Sequence, residues 1–97
     1  MYAKTVKVIN ATGLHARPAA TFVSKAKEYE SGIQICRKED GAENAVDAKS
    51  ILQLLTLGVG KGEEVEIIAQ GGDEAEAVEA LVALIAGGFG EESTTGT

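Results

Sequence analysis

The spacing of apolar residues along this chain switches between two and three-to-four, and each switch marks a new element. From Lys4 to Ile9, Val6 and Val8 share one side of a period-two pattern, which predicts a first strand. Asn10-Ala11-Thr12-Gly13 has the composition of a turn, and beyond it Ala19, Phe22, Val23 and Ala26 recur on one helical face. This predicts a helix from about Ala16 to Lys27. Ile33 and Ile35 share a face of a second strand, the polar segment from Lys38 to Ala42 turns the chain, and Val46 and Ala48 resume the alternation of a third. Ser50 is a suitable N-cap for the short apolar helix carrying Ile51, Leu52, Leu54 and Leu55, which Gly58 can end in the left-handed conformation. Val65, Ile67 and Ala69 define a last strand from Glu63 to Ala69. After Gly71-Gly72, Asp73 and Glu76 have capping-box spacing, and Val78, Leu81, Val82 and Ile85 form the stripe of a final helix that Gly87-Gly88 stops.

The order β-α-β-β-α-β-α predicts an α+β fold. Four strands, each with one apolar face, form an antiparallel sheet, with three helices packed on one face and water on the other. Residues 1–88 read as one domain. Phe89 to Thr97 holds too little apolar surface to offset its ordering entropy and reads as a flexible tail.

Composition narrows the function. With 44% apolar and 25% charged residues, the chain is globular rather than disordered. Its net charge of -6, without aromatics interleaved in a basic stripe, argues against nucleic acid as a partner. The N-terminus leads into a strand pattern rather than an apolar leader, and no run is long enough to span a bilayer, so the cytoplasm is the expected location. Cys36 and His15 are the only residues of their types, which rules out an intrachain disulfide and a thiolate–imidazole metal cage. No cofactor is expected. Cys36 reads as a small residue on the less buried face of its strand.

The chemistry concentrates at Gly13-Leu14-His15-Ala16-Arg17-Pro18. His15 stands where turn meets helix, and there the unpaired N–H groups of the first turn and the helix dipole favour an anion. Pro18 fits the first turn, where a missing N–H costs no intrahelical bond. Arg17 adds a charged fork suited to phosphate oxygens. An imidazole is a nucleophile when unprotonated, and its ordinary pKa of about 6.5 leaves much of it so near neutral pH. One local field would favour both the neutral ring and the charged product. A lone histidine is more often an ordinary turn residue. Here its neighbours converge on an anion, although they do not separate a phosphocarrier from a phosphate-binding module.

Gly13-Leu14-His15-Ala16-Arg17-Pro18-Ala19-Ala20 resembles the active-site signature of HPr, the histidine phosphocarrier of the bacterial sugar phosphotransferase system. Ala48-Lys49-Ser50-Ile51-Leu52 and Thr56-Leu57-Gly58 with Gly62 resemble that family's regulatory-serine helix and the turn after it, and the likeness runs in order from about residue 4 to 86. It implies an open-faced β-sandwich that works as a monomer, is phosphorylated on Nδ1 of His15 by enzyme I and passes the group to sugar-permease A domains. Arg17 would stabilise the phosphate. Partners would dock on Ala16, Ala20, Ile51, Leu52, Leu55 and Thr56. Pattern alone leaves Ile51, Leu52 and Leu55 open between core and surface, with at least one exposed. Lys25, Lys27 and Lys49 with Arg17 read either as a basic rim for acidic partners or as ordinary solvated lysines.

Ser50 corresponds to the serine that HPr kinase/phosphorylase modifies in many relatives, with a catabolite-control transcription factor as a further partner; N-capping alone also explains a serine here. The stretch from Arg37 to Ala45 is about four residues longer than is common in the family. The competing functions are a nitrogen-related or other HPr paralogue, a purely regulatory HPr-like binding protein, which would lack the active histidine, and an unrelated α+β module that binds a phosphorylated ligand.

Overall fold

The structure, a computed structural model, describes residues 1–90. Four strands, β1 (Tyr2–Lys7), β2 (Gly32–Arg37), β3 (Val46–Asp47) and β4 (Glu64–Gln70), form one antiparallel sheet in the order β1-β4-β2-β3. Three helices, α1 (Ala16–Ala26), α2 (Ile51–Thr56) and α3 (Glu74–Ala86), follow the predicted succession. The register places Val6, Val65 and Arg37 across one row, and Lys4, Ile67 and Ile35 across the next. Period-two alternation therefore puts Ile33, Ile35, Val65, Ile67 and Ala69 together beneath the helices, where all five are buried. Phe22, Val23 and Ala26 of α1, Leu54 of α2, and Val78, Leu81 and Ile85 of α3 close the same core. Helices on one face and none on the other make the expected open-faced α+β fold.

β1 runs two residues earlier than its apolar pattern suggests. Pairing with β4 sets its limits, from Tyr2 opposite Ala69 to Lys7 opposite Glu64. Lys4 shares the helix side with Tyr2 and Val6; at the sheet edge its ammonium meets Glu79 of α3 at 2.7 Å, and Tyr2 donates its hydroxyl to the same carboxylate.

The capping box expected at Asp73 and Glu76 is absent. Asp73 makes no side-chain cap bond, and its carboxylate instead accepts the N–H groups of Glu30 and Ser31, at 2.9 and 3.0 Å, and the Ser31 hydroxyl. It ties the α1–β2 connection to the start of α3. Glu74 takes the local role, accepting the Gly71 N–H at 3.0 Å and pairing with the N-terminal amine at 2.9 Å.

Cys36 also departs from expectation. It lies on the sheet face away from the helices, opposite Glu66, yet it is fully buried. The long connection after β2 folds into two 3-10 turns, Lys38–Asp40 and Ala42–Asn44, that pack back on β4 and β2. Burial pushes the Cys36 thiol pKa up, and the nearby Glu66 carboxylate pushes it the same way, so the thiolate is disfavoured. The expected flexible tail begins at Phe89; Phe89 itself is half-buried against the core, and residues 91–97 lie outside the described part.

Candidate functional site

The loop before α1 is held from inside. Leu14 is buried in the core at 1% exposure, so its neighbour His15 is turned to solvent. Asn10, itself buried, donates from Nδ2 to the Gly13 carbonyl at 2.9 Å and to Thr12 Oγ1 at 3.2 Å, closing the turn that the Gly13 N–H makes with the Asn10 carbonyl. Gly13 has φ +65°, and a Cβ there would lie 2.5 Å from the Val59 carbonyl oxygen and 2.8 Å from Gly60 Cα. Only glycine lets the loop lie so close to the α2–β4 connection. The contact is sealed by the Leu14 N–H donating to the Val59 carbonyl at 3.1 Å.

His15 is the N-cap residue of α1, extended at φ -131° and ψ 164°, and its side chain makes no cap bond. The imidazole is exposed and uncommitted to the helix. Ala16, directly after it, has φ +52°, a conformation that costs an alanine roughly 1–2 kcal/mol. The strain sits between His15 and the rest of its helix. Pro18 is buried in the first turn, as expected, and Arg17 projects into solvent one residue before it. Thr12, Ala16, Arg17, Pro18, Thr21, Phe89 and Gly90 line a shallow depression of about 330 Å³ beside this turn.

α2 lies against α1 and presents a largely apolar surface. Ile51, Leu52 and Leu55 are 39%, 76% and 40% exposed, while Leu54 alone enters the core. Ala16, Ala20 and Thr56 are exposed as well, so every residue of the expected docking set reaches the surface. Ser50 caps α2 through its hydroxyl oxygen, which accepts the Gln53 N–H at 3.2 Å; Gln53 Oε1 accepts the Asp47 N–H in return. Gly58 follows α2 with φ +61°, as its position predicts.

The basic rim is less uniform than the sequence suggests. Lys49 donates to the Tyr29 carbonyl at 2.7 Å, bracing the α1–β2 connection, and Lys25 pairs with Glu28 at 3.4 Å. Lys27 and Arg17 remain exposed. The sequence pattern gave no notice of three features: the side-chain bonds of Asn10, the backbone strain at Ala16, and the bonds of the Arg37 guanidinium to carbonyls of the α2–β4 connection. Only Asn10, three residues before a glycine, carried a signal of its own, as a turn residue.

Residues 2–87 match the family model described as the PTS HPr component phosphorylation site. The phosphocarrier protein HPr of Haemophilus influenzae is 47% identical over 85 residues, covering 88% of this chain and 95% of its own. The HPr-like protein Crh of Halalkalibacterium halodurans is also 47% identical, covering 88% and 96%. Among solved structures, HPr-C-His from Thermoanaerobacter tengcongensis superposes with a TM-score of 0.85 at 45% identity, covering 94% of this chain and 98% of that one. An open-faced α+β sheet with an exposed histidine opening its first helix is the architecture of a small phosphocarrier. The chain belongs to the HPr family of the phosphotransferase system, whose members carry phosphate rather than catalyse a reaction unaided.

Proposed function

We propose that this protein accepts a phosphoryl group on Nδ1 of His15 from phospho-enzyme I and passes it to sugar-permease A domains in the cytoplasm, acting as a monomer. The observation that carries this reading is the exposed, uncapped His15 at the N-terminus of α1, with Arg17 in the same turn. In the transfer, the Nδ1 lone pair forms a bond to phosphorus while the bond from phosphorus to the donor breaks, and the electron pair leaves with the donor. The first-turn N–H groups and Arg17 bear the charge on the phosphoryl oxygens. The exposed apolar face of α2, with Ala16 and Ala20 of α1, supplies a docking surface. None of the helices in the described residues is long and apolar enough to cross a membrane.

Ser50 supports a regulatory addition to this reading. A phosphate from an HPr kinase/phosphorylase would add about two negative charges beside Ile51 and Leu52, hindering acidic carriers and offering a mark to a catabolite-control transcription factor. HPr and HPr-like Crh relatives match at the same identity, so similarity does not choose between carrier and regulator. The retained nucleophile favours the carrier.

The test is incubation with phosphoenolpyruvate, magnesium and a bacterial enzyme I, read by intact mass and acid lability, with His15→Ala in parallel. One acid-labile phosphate per chain, lost in the variant, is expected. A phosphate that persists in His15→Ala would defeat the site, and no uptake from several enzyme I sources would defeat the carrier role.

A further inference from the structure

Arg37 ends β2 on the row of Ile33 and Ile35, where a permanent charge would otherwise face the edge of the core. Its guanidinium instead bonds two backbone carbonyls and faces three carboxylates. Nη1 donates to the carbonyls of Leu57, the C-cap of α2, at 2.9 Å and of Gly58, the residue after it, at 3.3 Å. Nη2 meets Glu63 at 2.9 Å and Glu39 at 3.4 Å, and Nε faces Asp40 at 3.6 Å. Glu39 and Asp40 belong to the connection after β2, which thus faces this guanidinium from outside.

The other side of the held peptide leads to the nucleophile. The carbonyl after Gly58 is that of Val59, which accepts the Leu14 N–H at 3.1 Å, and Gly13 is packed against the same oxygen. One peptide unit thus separates the carbonyl fixed by Arg37 from the carbonyl that fixes the loop bearing His15. Arginine suits this place because a planar fork can serve two carbonyls and two or three carboxylates at once, which a lysine ammonium cannot.

We infer that Arg37 is a positioning residue for phosphoryl transfer, clamping the α2–β4 connection so that the Val59 carbonyl holds Leu14, and with it His15, in the accepting geometry. The transfer half of this inference rests on the carrier reading above; the clamp itself does not. The clamp lies outside the His15 loop and draws its carboxylates from Glu39, Asp40 and Glu63.

The experiment is amide hydrogen exchange by NMR on the full chain, alongside steady-state phosphorylation by enzyme I, for wild type, Arg37→Ala, Arg37→Lys and the double variant Glu39→Gln/Asp40→Asn. In Arg37→Ala, exchange at Leu14 is expected to quicken about tenfold while Ile35 and Ile67 keep their protection, and kcat for His15 phosphorylation is expected to fall about tenfold with KM little changed. Arg37→Lys should recover only part of both effects. The double variant, which keeps the bonds to the carbonyls, should shift both in the same direction by about two- to threefold. Unchanged exchange at Leu14 in Arg37→Ala would overturn the clamp, as would quickening at Leu14 only in step with Ile35 and Ile67. Loosened Leu14 with an unaltered kcat would overturn its role in transfer. Absence of phosphate on the wild type would sink the carrier reading and leave the exchange result standing on its own.

Discussion

Replacing Gly13 by alanine puts the packing of the His15 loop to a quantitative test. The backbone there has φ +65°, which for an alanine costs about 1–2 kcal/mol. The added methyl would meet the Val59 carbonyl oxygen at 2.5 Å and Gly60 Cα at 2.8 Å, both backbone atoms with no flexible side chain to move aside. Relief requires the two loops to part, and that breaks the 3.1 Å bond from the Leu14 N–H to the Val59 carbonyl, a further loss of about 0.5–1.5 kcal/mol. Together these give a destabilisation of about 1.5–3.5 kcal/mol, or a fall in Tm of roughly 6–28 °C for a domain of this size. Urea and thermal unfolding followed by circular dichroism measure it, with Gly60→Ala as the control. Gly60 has open space where its Cβ would be and no positive φ, so its substitution should stay within about 1 kcal/mol of wild type. A Gly13→Ala protein within about 0.5 kcal/mol of wild type would refute the close approach.

Two further outcomes separate surface from core and test a carboxylate network. Leu52→Ala, at a 76% exposed site, should leave unfolding within about 0.5 kcal/mol of wild type while raising KM for enzyme I roughly tenfold. Leu54→Ala, two residues on and 1% exposed, should cost about 2–5 kcal/mol of stability. The Ser31 hydroxyl and the Glu30 and Ser31 N–H groups lower the Asp73 pKa below its ordinary value of 3.8, so this carboxylate adds stability that is fully present above that value. The contribution disappears as pH falls below 3.8 through the folded-state pKa. The urea midpoint should therefore drop between pH 5 and pH 2.5, and part of that drop should vanish in Asp73→Asn; an identical pH profile in the variant would count against the network.

The amphipathic residues by themselves determined the element order, the identity of the core and the place of His15. Ile33, Ile35, Val65, Ile67 and Ala69 can share a buried face only if their strands pair under helices, and Leu14, an apolar residue beside a turn, must go inward and leave His15 outside. Pro18 and Ser50 set their helix starts through local backbone chemistry that needs no distant partner. Contacts between segments far apart in the chain were another matter. Asp73 left its expected capping role because two N–H groups and a hydroxyl from residues 30 and 31 compete for its oxygens more strongly than its own helix does. Cys36 is buried although it lies on the sheet face without helices, and periodicity along one strand cannot report what other segments add around it. The exposure of Ile51 and Leu55 was settled by which side of a two-turn helix meets α1 and the sheet, a choice that six residues leave undecided. Arg37 is the sharpest case, since a charged residue at a strand end reads as solvated surface until folding brings the Leu57 and Gly58 carbonyls within reach of its guanidinium. Hydrophobic periodicity is a property of one segment and is written in its residues; hydrogen bonds to backbone groups of another segment depend on where that backbone comes to rest, and only the tertiary structure decides that.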